Sequence, residues 1–136
     1  MSQTSAVILF AHGARDPEWA RPFHRIQALL RARAPDLRVE LAFLENMRPT
    51  LLEAVGTLAD QGAERITLVP LFMAQGGHLR RDLPETIRRA CVANPGVLVR
   101  TAPAIGDVDA LLEAIASWVL QEDGQTQRAN LGNPVA

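Results

Sequence analysis

Lysine is missing from all 136 residues, so each of the 14 cationic side chains is an arginine. Any grip on an anion must therefore use the planar guanidinium, which bonds carboxylate or phosphate in a fork that an ammonium cannot reproduce. A biased genome composition would leave the same deficit, so position along the chain has to decide which arginines bind anything. Cysteine occurs once, as Cys91, which excludes an intrachain disulfide and fits a reducing cytoplasm. Excess positive charge is absent too: the net charge is −1 at pH 7, against a general nucleic-acid binder. The first apolar run, Ala6–Phe10, is too short for a membrane span or a secretion signal, and no basic stretch precedes it. The expectation is a water-soluble, cytoplasmic protein with no membrane or nucleic-acid partner.

Several ligand motifs are also missing. No G-x-G-x-x-G or G-x-x-x-x-G-K-[ST] follows any apolar run, which argues against a nucleotide module. Neither a cysteine cluster nor an H-x-x-x-H pair occurs, so a permanent structural zinc is not expected. A histidine phosphatase also carries a His-Gly after its first strand, but with arginine directly before the histidine; here that residue is Ala11.

What is present is a regular alternation. With 48% hydrophobic residues, the chain can bury one core. Ala6–Phe10 reads as a strand buried on both faces. Asp16 then serves as N-cap and Pro17 as first residue of a helix whose inner face is Trp19, Phe23, Ile26 and Leu30. Leu37–Leu44 reads as a second strand, and Thr50–Gln61 as a helix with Leu51, Leu52, Val55 and Leu58 inward. Arg65–Pro70 is a third strand. Asp82 and Glu85 form a capping box for a helix that runs to about Ala93. Val97–Thr101 is a fourth strand, and a helix from Asp107 to about Gln121 turns Val108, Leu111, Leu112, Ile115 and Val119 to one side. Trp19 and Trp118 read as core, Cys91 as packing and His24 as surface. Residues 1–122 are thus expected to form one α/β domain: an open, parallel, four-stranded sheet of order 2-1-3-4 with helices on both faces. Residues 123–136 read as a polar, disordered tail.

In such a sheet, ligands bind beyond the carboxyl ends of the strands, where strand order reverses. His12, Gly13 and Arg15 follow the first strand, Glu45 and Arg48 the second, and Gly76, Gly77, His78, Arg80 and Arg81 the third. Two of the three histidines therefore stand on one rim. Neighbouring strands are about 4.8 Å apart, within reach of side chains at their ends. Two imidazoles with a carboxylate suit a divalent transition metal. Arginines at a helix start oppose its dipole and point to an anionic partner.

The stretches FAHGARDPEWARPF, LAFLENMRPTL and VPLFMAQGGHLRRDLPE together resemble the small, half-size sirohydrochlorin chelatases of the CbiX type, over about Ala6–Gln121. The resemblance implies a class II chelatase that inserts a divalent metal, Co²⁺ by preference or Fe²⁺, into sirohydrochlorin for cobalamin or sirohaem. It implies a homodimer, no permanently bound cofactor, and the metal as substrate. His12 matches a metal ligand and proton acceptor, and His78 a second metal ligand. Arg48 and the loop Met73, Ala74, Gln75, Gly76 and Gly77 match positions that touch the tetrapyrrole. Gln75 stands where some relatives carry another histidine, and no histidine-rich tail is present. On chemical grounds Glu45 is an alternative proton acceptor, while Arg15, Arg48, Arg80 and Arg81 suit carboxylates around a macrocycle. A metal or tetrapyrrole carrier without turnover would use the same rim.

Overall fold

The computed structural model describes residues 4–132. Strands β1 (Ser5–Ala11), β2 (Arg38–Phe43), β3 (Arg65–Pro70) and β4 (Leu98–Thr101) form one parallel sheet in the order β2-β1-β3-β4, the topology expected. The sheet explains the unbroken apolar run of β1, which is central and covered on both sides. Ile8 and Phe10 face one core, where α2 (Leu51–Asp60) and α3 (Gly77–Ala93) contribute Ala54, Val55, Leu58, Leu79 and Leu83. Leu9 and Ala11 face the other, with Val39, Leu41 and Phe43 from β2 and the half-buried Phe23, Ile26 and Leu30 of α1 (Arg21–Arg33). Complete burial, as at Ile8 and Leu58, stabilises by about 1.5–3 kcal/mol per side chain.

Local chemistry sets most of the element ends. Asp16 caps as expected, its carboxylate accepting the Glu18 N–H at 3.0 Å, but it caps a 3₁₀ turn, Pro17–Ala20, that leads into α1. Thr50 and Glu53 form a reciprocal capping box at α2: Thr50 Oγ1 accepts the Glu53 N–H at 3.2 Å, and Glu53 Oε1 accepts the Thr50 N–H at 3.0 Å. Leu52 is exposed rather than inward. The buried stripe runs through Leu51, Ala54, Val55 and Leu58, and residue 52 lies a further 100° or so around the helix. On the open edge of the sheet, the Val39 carbonyl accepts hydrogen bonds from Gln27 Nε2 (2.8 Å) and Arg31 Nη2 (3.0 Å), both from α1.

Two helices differ from the sequence expectation. α3 starts at Gly77, not near Asp82, so the Asp82–Glu85 pair lies inside the helix and Glu85 bonds Arg88 instead. Pro84, which would mark a first turn, is internal; it lacks the N–H that would bond the Arg80 carbonyl. α4 runs from Asp109 to Gly132, so residues 123–132 continue the helix where a loose tail was expected; 133–136 lie outside the described residues. In its last turns Gln127 Nε2 donates to Asp123 Oδ2 at 2.8 Å, and Thr126 Oγ1 to the Glu122 carbonyl at 3.2 Å. Nor does α4 bury its apolar residues. Leu111, Ile115, Val119 and Trp118 are exposed, Trp118 by 58%, so Trp118 is not core. An open apolar cavity of about 520 Å³ separates α4 from Ile26, Leu71 and Met73. Among the described residues, no helix is long and apolar enough to cross a membrane.

Candidate functional site

His12 is the first residue after β1, and its surroundings are fixed from two sides. Its exposed ring meets Phe72 edge-on, with centroids 4.8 Å apart. Phe72 is itself buried and stacks edge-on against Phe10 at 5.5 Å. On the backbone side, the Leu44 N–H donates to the Ala11 carbonyl (2.9 Å) and the Glu45 N–H to the His12 carbonyl (3.0 Å). The β1–β2 ladder thus continues past the strands and sets Glu45 beside His12. Gly13 makes this possible: its φ is +88°, and a Cβ there would lie 1.8 Å from the Glu45 oxygen.

The third loop leaves β3 through Leu71, whose N–H donates to the Phe10 carbonyl at 2.8 Å. Gly106, in the 3₁₀ turn Ile105–Asp107 before α4, holds it from outside. The Gly106 N–H donates to the Phe72 carbonyl at 3.2 Å, and a Cβ on Gly106 would lie 1.5 Å from the Met73 oxygen. Nothing stands within 4 Å of the place where a Cβ on Gly76 would project, so the loop offers an open shelf. Gly76 is the N-cap of α3 and has no side chain to satisfy the first N–H groups. Leu79 and Leu83, one turn apart and buried, pin the start of α3 to the core. That spacing turns His78, Arg80 and Arg81 to solvent. Arg81 Nε reaches back to the Gly77 carbonyl at 3.3 Å. Arg80 lines a groove with Gln75 and Thr101.

The remaining arginines divide in two. Arg48 is engaged within the chain, donating twice to the Glu53 carboxylate, once from Nε at 3.1 Å. Those bonds, with the Thr50 N–H, hold Glu53 at about 2, well below the usual carboxylate value. Arg15 makes no side-chain hydrogen bond or ion pair among the described residues. It lines a groove together with Arg48 and His24.

His12 and Glu45 are thus brought together through the backbone, and His78 stands in the first turn of α3, after the β3 loop. The expected set of two imidazoles and a carboxylate is not one coordination shell. Among the described residues, no three His, Cys, Asp or Glu side chains are grouped closely enough to hold an ion. Sequence reasoning missed Gly106 and the Glu53 partner of Arg48, since both depend on contacts between separate segments. Gly13 was legible only as part of the His-Gly pair.

The CbiX family model matches residues 6–122. This chain belongs to the CbiX family. A sirohydrochlorin cobaltochelatase of Methanococcoides burtonii is 31% identical over 96 residues, which are 71% of this chain and 73% of that one. Matched segments span between 57% and 73% of the first curated relatives' own lengths. The crystal structure of a Marinobacter aquaeolei VT8 protein, named for CbiX and cobalamin (vitamin B12) biosynthesis, superposes with a TM-score of 0.76 at 34% identity. It covers 89% of this CbiX-family chain and 98% of its own. The sirohydrochlorin chelatase SirB of Bacillus subtilis subspecies spizizenii, solved with cobalt, shares the fold with a TM-score of 0.74 at 24% identity. There the match covers 88% of this chain but 51% of SirB, so the chain spans about half of SirB's length.

Proposed function

We propose that this chain is a sirohydrochlorin metal chelatase, a lyase that puts a divalent metal into the tetrapyrrole and releases two protons. Cobalt is the favoured metal and iron the alternative, in a cytoplasmic route to cobalamin or sirohaem. The observation that carries the reading is that the segments after the adjacent strands β1 and β3 bear two exposed histidines, His12 against Phe72 and His78 at the start of α3. The names of the relatives agree with it.

The chemistry requires a metal to lose water, two pyrrole nitrogens to lose protons, and four nitrogens to take the ion. Neutral imidazole binds Co²⁺ and Fe²⁺ and is basic enough to accept a proton near neutrality. Two histidine ligands, without a third protein donor, hold the ion loosely enough to hand it on. His12 is the proton acceptor in this reading, and Glu45, set beside it through the backbone, is the alternative. The shelf at Met73–Gly77 gives the macrocycle a flat seat, and Arg15, Arg80 and Arg81 offer forked bonds to its carboxylates. Arg48 would have to share its guanidinium with Glu53.

We propose further that the chain works as a homodimer through α4. A 24-residue helix is about 36 Å long, and this one leaves Leu111, Ile115, Trp118 and Val119 open beside an unfilled apolar cavity. A second copy is the natural cover, since SirB carries in one chain about twice this length.

The test is to incubate the protein with sirohydrochlorin and Co²⁺ or Fe²⁺ and follow the absorption change on metallation. Many product molecules per protein are expected. A rate no faster than without protein would overturn the reading, and a single stoichiometric equivalent would make the protein a carrier.

A further inference from the structure

A metal-binding histidine as a rule donates its second ring N–H to a carboxylate or carbonyl, which fixes the ring and makes it a stronger ligand. His12 does otherwise. Its imidazole is exposed and, among the described residues, makes no side-chain hydrogen bond or ion pair. Glu45 stands beside it on the backbone without bonding the ring. The partner of the ring is aromatic instead: Phe72 meets it edge-on, with centroids 4.8 Å apart and planes at 64°. Edge-on aromatic pairs attract beyond the area they bury, which favours one orientation of the exposed ring.

Phe72 is itself held on several sides. It is 4% exposed and belongs to the core that contains Leu79 and Leu83. Phe10 meets it edge-on at 5.5 Å and 75°. Just before it, the Leu71 N–H donates to the Phe10 carbonyl at 2.8 Å, and the Phe72 carbonyl accepts the Gly106 N–H at 3.2 Å. A side chain so placed in a close-packed core has little freedom to turn. Phe10, Phe72 and His12 therefore form a chain of ring contacts from the sheet interior to the rim.

We infer that Phe72 is the positioning residue for His12, setting the plane of its imidazole through ring contact alone. The inference rests on the chelatase reading and extends it to a buried residue of the core. A ring contact restricts direction without engaging either nitrogen. The ligand nitrogen of His12 is thus held in place, yet no hydrogen-bonded partner raises its basicity. Such a ligand takes the ion at a set position and still releases it to four pyrrole nitrogens.

The experiment compares wild type with Phe72→Leu and Phe72→Met, which fill the core without a ring. Ile66→Val, in the same core near the start of β3, controls for packing. Kinetics are measured with Co²⁺ and sirohydrochlorin varied separately, tetrapyrrole Kd by titration, stability by urea, and the imidazole protons of the metal-free protein by NMR. With three histidines in the chain, His12→Ala identifies the His12 signals. A displacement of about 1 Å at a reacting group costs about a hundredfold, so a loosened His12 should lower kcat/KM for Co²⁺ about tenfold in both Phe72 variants. Tetrapyrrole Kd should keep its wild-type value. The His12 signals should move as the ring current of Phe72 is lost, while those of His24 on α1 stay. Ile66→Val should lower the urea midpoint and keep wild-type kinetics. In wild type, nuclear Overhauser contacts between the His12 and Phe72 rings are expected, and their absence overturns the assignment without any variant. Wild-type kinetics in both Phe72 variants, or His12 signals that do not move, overturn it alone. Equal losses in Ile66→Val, or a parallel weakening of tetrapyrrole Kd, overturn it in favour of general core damage. A wild type that neither binds nor metallates the tetrapyrrole overturns the chelatase reading itself.

Discussion

Gly13 lies so close to the Glu45 carbonyl that a Cβ at residue 13 would stand 1.8 Å from its oxygen. Gly13→Ala must therefore push the two loops apart and also force an alanine to φ near +88°. The variant should be destabilised by more than about 1 kcal/mol, the level at which glycine replacements in incompatible backbone begin. It should lose metallation as well, since His12 and Glu45 share this backbone. Urea unfolding and the metallation assay measure the two effects, and an alanine variant equal to wild type in both would refute the contact.

His78→Ala should behave in the opposite way. The side chain is exposed at the start of α3, and Leu79 and Leu83 hold that turn. Stability should remain within about 0.5 kcal/mol of wild type. Metallation should fall at least a hundredfold on the proposed ligand role, with the same result for His12→Ala. Normal turnover in either variant would remove that histidine from the site.

The Arg48–Glu53 pair gives an acid-side signature. Glu53 is depressed from 4.5 to about 2 by its bonds to Arg48 and the Thr50 N–H. A depressed carboxylate contributes stability that is complete above its unfolded value and fades as pH falls through its folded one. Wild type should thus melt above Glu53→Gln at pH 5 and above, with the gap closing between about pH 4.5 and 2. A gap that persists unchanged at pH 2 would exclude ionisation of Glu53 as its source. Thr50→Ala, which removes the other half of the capping box, should cost about 1 kcal/mol at neutral pH.

Ile115→Glu places a charge in the middle of the exposed apolar stripe of α4. On the dimer proposal it should convert the protein to a monomer, read by light scattering, while the sheet keeps its fold. A monomeric wild type would overturn the dimer, and a variant that stays dimeric would send the interface elsewhere.

The sheet was legible because its strands are short apolar runs bounded by polar turns; β3 begins and ends where its residues predict. The errors share a cause. Asp82, Pro84 and Glu85 make a good local helix start, yet Leu79 and Leu83 earn enough burial to begin α3 at Gly77. Local capping chemistry lost to tertiary packing. In α4, periodicity revealed an apolar face but not what covers it, so Trp118 read as core while standing open. For the site, the two histidine loops were visible as residue types at strand ends. The contact of Gly106 with Met73, and the capture of Arg48 by Glu53, join segments whose approach only the folded chain defines.

The bonds from Gln27 and Arg31 to Val39 have one more effect. They occupy one of the outward backbone acceptors that a foreign strand would use to lengthen the sheet past β2. Adding a strand there would first have to displace two side chains of α1, which blunts that flank against growth into ribbons or fibrils.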